Sequence, residues 1–433
     1  MTLLSQKTYP IWHPNTQKRL EEDPIKVLSA KGSYLTLEDG KKVLDMTCSW
    51  WVTLHGHSHP FIAKAIARQA KTLEQVLFAN FTHDPAIELS KKLLHHLPKN
   101  LSKVFFSDNG STAIEVAIKM AYQYWLNLGE KKRTRFLCFE NAYHGDTVGA
   151  MSASSRSIFS QQFDPLLFPV DRAPFPAIFE GDCEIEQSEK KALKAIQTLF
   201  HQHKNQYAAV LLEPLIQGAG GMRMCRPQFL QALEKIAKEE NTLIIYDEVF
   251  VGFGRTGDWF ACIKAKTSPN IICLSKGITG GFLPLSVTIC SEDIYQAFYQ
   301  NDPAKTFFHG HSYTANPLGC SAGIASLELL EKKPQVFQNM EKIHRQCSRS
   351  LQRHPRVKNL RFCGTIAAFD LEVQEAGYLN LIGTKLRKYC LTQGLYIRPL
   401  GNTVYIMPPY CTSKKELSST YTILENALND LFD

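Results

Sequence analysis

Asp247 and Lys276 each stand at the end of a short apolar run. Residues 242–246 read TLIIY and residues 271–274 read IICL. Both are too short for a helix and rich in branched side chains, which predicts two buried parallel strands. In an open α/β sheet, ligands sit outside the carboxyl ends of the strands. One acid and one amine are therefore delivered to one edge of one sheet. Two chemistries fit such a pair. One is a partly buried ion pair. The other is a pyridoxal phosphate site, which needs a Lys to form a Schiff base and an acid to keep the pyridine nitrogen protonated.

Other strand ends carry groups that bear on the choice. The run at 104–106 leads through Ser107-Asp108-Asn109 into Gly110-Ser111-Thr112 and a helical pattern to residue 127. Gly110 permits close backbone approach, the hydroxyls can donate, and a helix N-terminus attracts anions, which makes a phosphate seat; an ordinary N-cap is the plain alternative. Tyr143 follows the strand predicted at 136–139 and offers a flat face for stacking, or simply packing. Glu213-Pro214 follows the strand at 208–212. Several polar or aromatic strand ends at one edge make the ion-pair reading the weaker one. Gly252, Gly254 and Gly257 spell GxGxxG, but Asp247 and Glu248 intervene after the strand and no clear helix start follows. The dinucleotide-binding pattern requires both, so the stretch is read as a glycine-rich loop, with a nicotinamide-dependent oxidoreductase as the alternative.

The elements that must carry these residues form a βα series over about 61–330, hence a parallel or mixed sheet covered on both faces. A further strand is predicted at 285–290 and a helix at 227–240. Before it, residues 26–37 and 42–46 suggest a small antiparallel piece around Asp39-Gly40. After it, amphipathic helices at 334–354, 377–393 and 414–431 alternate with strands at 366–373, 396–399 and 404–407, a separate α+β layer. The chain has 433 residues, 44% hydrophobic and 21% charged, enough for a large core and two domains. No run approaches the roughly 18 apolar residues of a membrane span, and the first residues lack a basic-then-apolar signal pattern, so a cytoplasmic location is expected. The 12 Cys are scattered without a CxxC pair, which reads as reduced thiols rather than a disulfide framework or a metal site. The net charge of +8 comes from small dispersed clusters with no basic, aromatic-laced stripe, so no nucleic-acid partner is expected.

SDNGSTAIEVAIKMA (107–121), NAYHGDTVGAMS (141–152), LLEPLIQGAGGM (211–222), LIIYDEVFVGFGRTG (243–257), LSKGITGGFLPLS (274–286) and HGHSYTANPLGC (309–320) together resemble the class III, fold-type I, pyridoxal-phosphate aminotransferases. The resemblance implies an α/β fold. A large cofactor-binding domain with a mostly parallel central sheet would span 61–330. A smaller α+β domain would be built from both chain ends, 1–60 and 331–433. It implies that Lys276 holds the cofactor and shuttles a proton, that Asp247 binds the pyridine nitrogen, that Tyr143 stacks on the ring, and that Gly110 and Ser111 seat the phosphate. The segment His309-Gly310-His311-Ser312 would reach into a neighbouring subunit, Ser312 donating to the phosphate and Gly310 lying beside substrate, so that a homodimer shares its active sites. His311 departs from the Pro frequent there.

Trp12-His13-Pro14, the stretch from Cys48 to His57, and Arg398 with the segment 405–410 resemble one branch, which aminates 8-amino-7-oxononanoate in biotin synthesis with S-adenosylmethionine as the usual donor. In that branch Arg398 would pair with the substrate carboxylate, though a surface Arg in a turn is the plain alternative. Trp50 and Trp51 would wall the pocket, or serve as core. Arg255 is expected to act behind the residues that touch substrate. Asn15 stands where the branch usually has Tyr and a lysine-using relative has Phe, which leaves lysine as a competing donor. Another class III ω-aminotransferase is the further alternative.

Overall fold

A computed structural model describes residues 10–19, 23–373, 377 and 380–432. The N-terminal strands β1 (Val27–Lys31), β2 (Tyr34–Leu37) and β3 (Lys42–Asp45) form an antiparallel meander. The predicted piece at 26–37 is thus two strands, because Gly32 (φ 59°) turns the chain between Lys31 and Tyr34.

The next strands build the central sheet: β4 (Leu101–Ser107), β5 (Arg135–Phe139), β6 (Asp171–Ala173) and β7 (Tyr207–Leu212), then, past a two-stranded hairpin of β8 (Ile216–Gln217) and β9 (Arg223–Met224), β10 (Leu243–Asp247), β11 (Ile271–Leu274) and β12 (Ser286–Ser291). Their order is β4-β12-β11-β10-β7-β5-β6. Neighbours from β11 through β6 run parallel, while β12 runs antiparallel to both β11 and β4. The sheet is mostly parallel, and β7, β10 and β11 are buried at every residue, as covered parallel strands should be. β6 has no sequence signal: it is three residues long and two of them are charged.

In the last hundred residues β13 (Val357–Cys363), β14 (Ile366–Leu371) and β16 (Thr403–Ile406) form an antiparallel sheet, whereas β15 (Leu395–Tyr396) pairs in parallel with β3. The strand predicted at 396–399 stops early because Pro399 cannot donate to a ladder. The helix predicted at 334–354 is broken into Gln335–Gln338, Met340–Cys347 and a short turn at Leu351–Arg353. The breaks fall at Asn339 and at Ser348–Ser350, residue types of low helix propensity apart from Arg349. The helix predicted at 377–393 is observed at Ile382–Thr392; residues 378 and 379 lie outside the described residues. Among the described residues no helix is long and apolar enough to cross a membrane.

Candidate active site

The carboxyl ends of β4, β5, β7, β10 and β11 open onto one cavity of about 530 Å³. Asp247 is the last residue of β10 and Lys276 lies two residues beyond β11; both line this cavity. Residues 247 and 248 share a sheet edge but not a direction, because successive side chains of a strand point oppositely. Asp247 lines the cavity, whereas Glu248 is fully buried and accepts from Ala261 N (2.7 Å) and Cys262 N (2.8 Å). Burial pushes the Glu248 carboxyl up to about 7 despite those bonds.

Lys276 has φ 45°, the left-handed region that a Lys seldom occupies, at the start of a tight turn, Lys276–Thr279. Burial lowers its amine to a pKa of about 8, against the attraction of Asp247 and Glu213. Its Nζ is 4.6 Å from the centroid of the Trp51 ring and 5.5 Å from that of Phe250. Asp247 Oδ2 is 2.7 Å from His144 Nδ1, and Asp247 Oδ1 accepts from Val249 N at 3.1 Å. The His144 ring is buried, and its Nε2 has no partner. Glu213 joins two loops at the cavity: its Oε2 accepts from Tyr143 N (3.1 Å) and its Oε1 from Gly218 N (2.9 Å). Burial pushes its carboxyl up to about 7, the His144 charge pulling the other way.

At the expected phosphate seat, the N-cap of helix Gly110–Asn127 is Asn109, which accepts from Thr112 N at 3.0 Å. Capping therefore falls to Asn109, and Gly110 and Ser111 face the cavity instead. Ser111 Oγ accepts from Asp146 N at 3.2 Å. A Cβ on Gly110 would meet Val249 at 2.6 Å and one on Gly145 would meet Ser111 Oγ at 2.1 Å, so the two loops approach through glycine. The GxGxxG glycines serve packing instead. A Cβ at Gly254 would meet the Phe337 ring at 2.7 Å, and one at Gly257 would meet Gly364 at 3.2 Å. They let the C-terminal third pack on this loop, which leaves no phosphate cradle there.

Of the expected site residues, Lys276, Asp247, Tyr143, Gly110, Ser111 and Trp51 line the one cavity. Trp51 is also core, 5% exposed, with its Nε1 donating to Tyr405 Oη at 2.9 Å. Trp50 is 42% exposed and carries the Arg398 guanidinium 4.4 Å above its ring, both just outside the cavity. Gly310 and Ser312 lie away from it, on a segment tied to Gln75, which donates to Ser312 O at 2.8 Å. Arg255 is buried behind the cavity, donating to Pro408 O at 3.3 Å, its guanidinium 5.1 Å from the Tyr410 ring centroid. Asn15 is exposed and outside the cavity. Sequence reasoning assigned no role to His144 or Glu213. The signal for His144 was its place directly after Tyr143 at a strand end; for Glu213 it was an acid at the end of an otherwise wholly apolar strand.

The residues present fit pyridoxal phosphate. An amine of lowered proton affinity stands for the carbonyl, a buried carboxylate backed by an imidazole for a protonated ring nitrogen, and a helix N-terminus with a hydroxyl for the phosphate.

Residues 16–428 match the family described as aminotransferase class-III. The chain belongs to that family. Family members are pyridoxal-phosphate enzymes, and this one is a fold-type I transaminase. The chain is 51% identical over 421 residues to a Synechococcus elongatus protein named adenosylmethionine-8-amino-7-oxononanoate aminotransferase, covering 97% of this chain and 99% of that one. A Staphylococcus aureus protein of the same name is 36% identical, covering 98% and 96%. The solved structure of the enzyme of that name from Methanocaldococcus jannaschii superposes with a TM-score of 0.91 at 36% identity, over 97% of each chain. A Pseudomonas amine transaminase solved with PLP bound gives 0.91 at 27% identity, over 98% of this chain and 99% of that one.

Proposed function

We propose that this transaminase aminates 8-amino-7-oxononanoate to 7,8-diaminononanoate in biotin synthesis, with S-adenosylmethionine as donor. The observation that carries the reading is near-full-length similarity to enzymes of that name, joined to a cavity in which Lys276 and Asp247 meet beside the Trp50–Arg398 pair. Bound in the cavity, pyridoxal phosphate supplies a carbonyl that takes up amines and a protonated ring that draws electrons from the reacting carbon. Gly110, Ser111, Tyr143, Asp247 and Lys276 would hold it. Lys276 Nζ, its proton affinity lowered by burial, takes the proton from the donor carbon and would give it up at the cofactor carbon that carried the carbonyl, the transfer running the other way with the acceptor. Asp247, with His144 on its Oδ2, would bind the ring nitrogen. Arg398 receives the acceptor's carboxylate, for which its fork suits two oxygens at once. Trp51 and Phe250 present their rings to the amine, at 4.6 and 5.5 Å from Nζ to the ring centroids.

The working unit in this reading is a homodimer with shared sites. Leu77, Phe81, Phe308 and Tyr313 stand at 60% exposure or more, an apolar surface that a second copy would cover. The segment bearing Gly310 and Ser312 lies outside its own cavity, held by Gln75, and would complete the partner's. A cytoplasmic setting belongs to the same proposal; all twelve thiols are unpaired, as suits a reducing compartment.

The test follows the absorbance of the bound cofactor while S-adenosylmethionine, lysine and 7,8-diaminononanoate are added separately. Bleaching by the diamine and by S-adenosylmethionine, but not by lysine, is expected. Bleaching by lysine alone would overturn the donor and connect Asn15 with the change. No response to the diamine would overturn the acceptor.

A further inference from the structure

The segment between β3 and the cavity is bent in a way its residues do not favour. Cys48, Ser49 and Trp51 have φ of 51°, 61° and 69°, and none is glycine. Ser49, at φ 61° and ψ −100°, sits close to the first central position of a type II′ turn, which glycine dominates. Such conformations persist only where the surroundings over-determine them, and they gather at functional sites.

The surroundings here are one carboxylate. Asp45, fully buried, receives four hydrogen bonds: from Thr47 N (2.9 Å) and Thr47 Oγ1 (2.7 Å) on Oδ1, and from Ser49 N (2.7 Å) and His57 Nε2 (2.9 Å) on Oδ2. Thr47 Oγ1 is also 2.8 Å from Ser49 O. Burial opposes the Asp45 charge, and the bonds from His57 and Thr47 outweigh it, so the group stays an acceptor. His57 is itself pinned by paired backbone bonds to Gly32, at 2.7 and 3.2 Å. The bend it enforces sends Trp51 under Lys276 and Trp50 under Arg398. Neither Asp45 nor His57 lines the cavity.

We propose that Asp45 and His57 form a positioning clamp: by holding Ser49 in a glycine-type conformation they set both tryptophans at once, and so fix the distance between the amine and the arginine that a carboxylate-bearing acceptor must span. The substrate half of this rests on the function proposed above; the geometric half does not.

The experiment uses the full-length, cofactor-loaded protein with D45N, S49G, the double variant D45N/S49G, and H57A. Asn places an N–H donor among donors and breaks the clamp; glycine at 49 adopts the bend unaided. D45N is expected to alter the near-ultraviolet circular dichroism of the tryptophans and to raise KM for 8-amino-7-oxononanoate about tenfold, as the loss of a charged hydrogen bond does. It should lower kcat less than about threefold and leave the bound-cofactor absorbance unchanged. D45N/S49G should recover most of both signals, and S49G alone should resemble the parent. H57A, which removes one bond of four, should shift both signals in the same direction by less, and serves if D45N fails to fold. The proposal is overturned if D45N or, in its absence, H57A leaves the dichroism unchanged. It is also overturned if D45N lowers cofactor content and kcat together without recovery by S49G. If the parent does not turn over 8-amino-7-oxononanoate, the proposed function fails while the dichroism of D45N and D45N/S49G still decides the clamp.

Discussion

Two walls of the same cavity are built by different means. The Asp247–Lys276 wall is the end of a regular parallel sheet: Asp247 pairs in register with Cys273, and both strands are buried along their length. The other wall is Trp51, set with Trp50 outside it on an irregular turn whose shape comes from side-chain hydrogen bonds to Asp45 and from strands supplied by the far end of the chain. The sheet edge fixes atoms by repetition, so the loss of one side chain leaves the backbone in place. The turn has no repetition, so each of its hydrogen bonds affects the geometry of the next residue.

Breaking the sheet wall should therefore change chemistry without changing shape. On the proposed mechanism K276A removes the group that moves the proton, and turnover should fall by at least roughly 10²–10⁴-fold, measured in single-turnover kinetics, with the chain still folded by circular dichroism. Turnover within tenfold of the parent would remove Lys276 from the mechanism. R398A touches the group stacked on Trp50 just beyond the other wall and should act on binding: a lost charged hydrogen bond is worth about 1.5–3 kcal/mol, so KM for the acceptor should rise roughly ten- to a hundredfold while the donor half-reaction keeps its rate. A smaller effect separates neighbours within the sheet wall. E248Q removes one acceptor from the two buried N–H groups that Glu248 serves, at a cost of about 1–3 kcal/mol in denaturant unfolding, with the cofactor spectrum unchanged. An altered spectrum would mean that residues 247 and 248 are not divided between cavity and core as described.

The pH dependence of the cofactor-free protein sharpens the same point. Only the neutral amine attacks a carbonyl, so the rate of pyridoxal phosphate uptake should rise with pH through about 8, the value to which burial lowers Lys276. A rate flat from about pH 7 to 9 would contradict the burial argument. Stability carries the linked sign. The unfolded chain keeps this proton up to about pH 10.4, so it binds more protons than the folded chain between about 8 and 10.4, and stability rises with pH across that window. The advantage of K276M over the cofactor-free parent in unfolding midpoint should thus be largest below pH 8 and shrink above it.

The same contrast explains what could be read in advance. The strands ending at Asp247 and Lys276 announce themselves by branched apolar runs, and the polar residue closing each run marks the sheet edge. The strand-to-helix turn at Gly110-Ser111 was legible as a cavity edge, but not the reason Ser111 is available there: Asn109 and Thr112 cap the helix between them. Trp50 and Trp51 stood out by type, yet nothing local says that the first is exposed under an arginine and the second buried under a lysine, because that division depends on contacts with residues 398–407. β6 and the broken helix near 340 escaped for the opposite reason: three residues with two charges carry no alternation, and the apolar period runs straight through the breaks at Asn339 and Ser348–Ser350. His144 and Glu213 required the third dimension, since their partners Asp247, Tyr143 and Gly218 lie on other strands or loops.

The pairing of Leu44 with Leu395 also orders events in time. A chain emerging from a ribosome can assemble β4 to β12, and with them the edge that bears Asp247 and Lys276, once about three hundred residues are out. The tryptophan wall cannot be seated then, although its residues were among the first made. Trp51 awaits Tyr405, Cys48 awaits the carbonyl of Met407, and Met46 awaits the amide of Met407. A nascent chain thus carries its reactive amine at a finished sheet edge before the final segment has seated Trp51 beneath it, and a product stopped short of residue 395 would lack that support for as long as it survives.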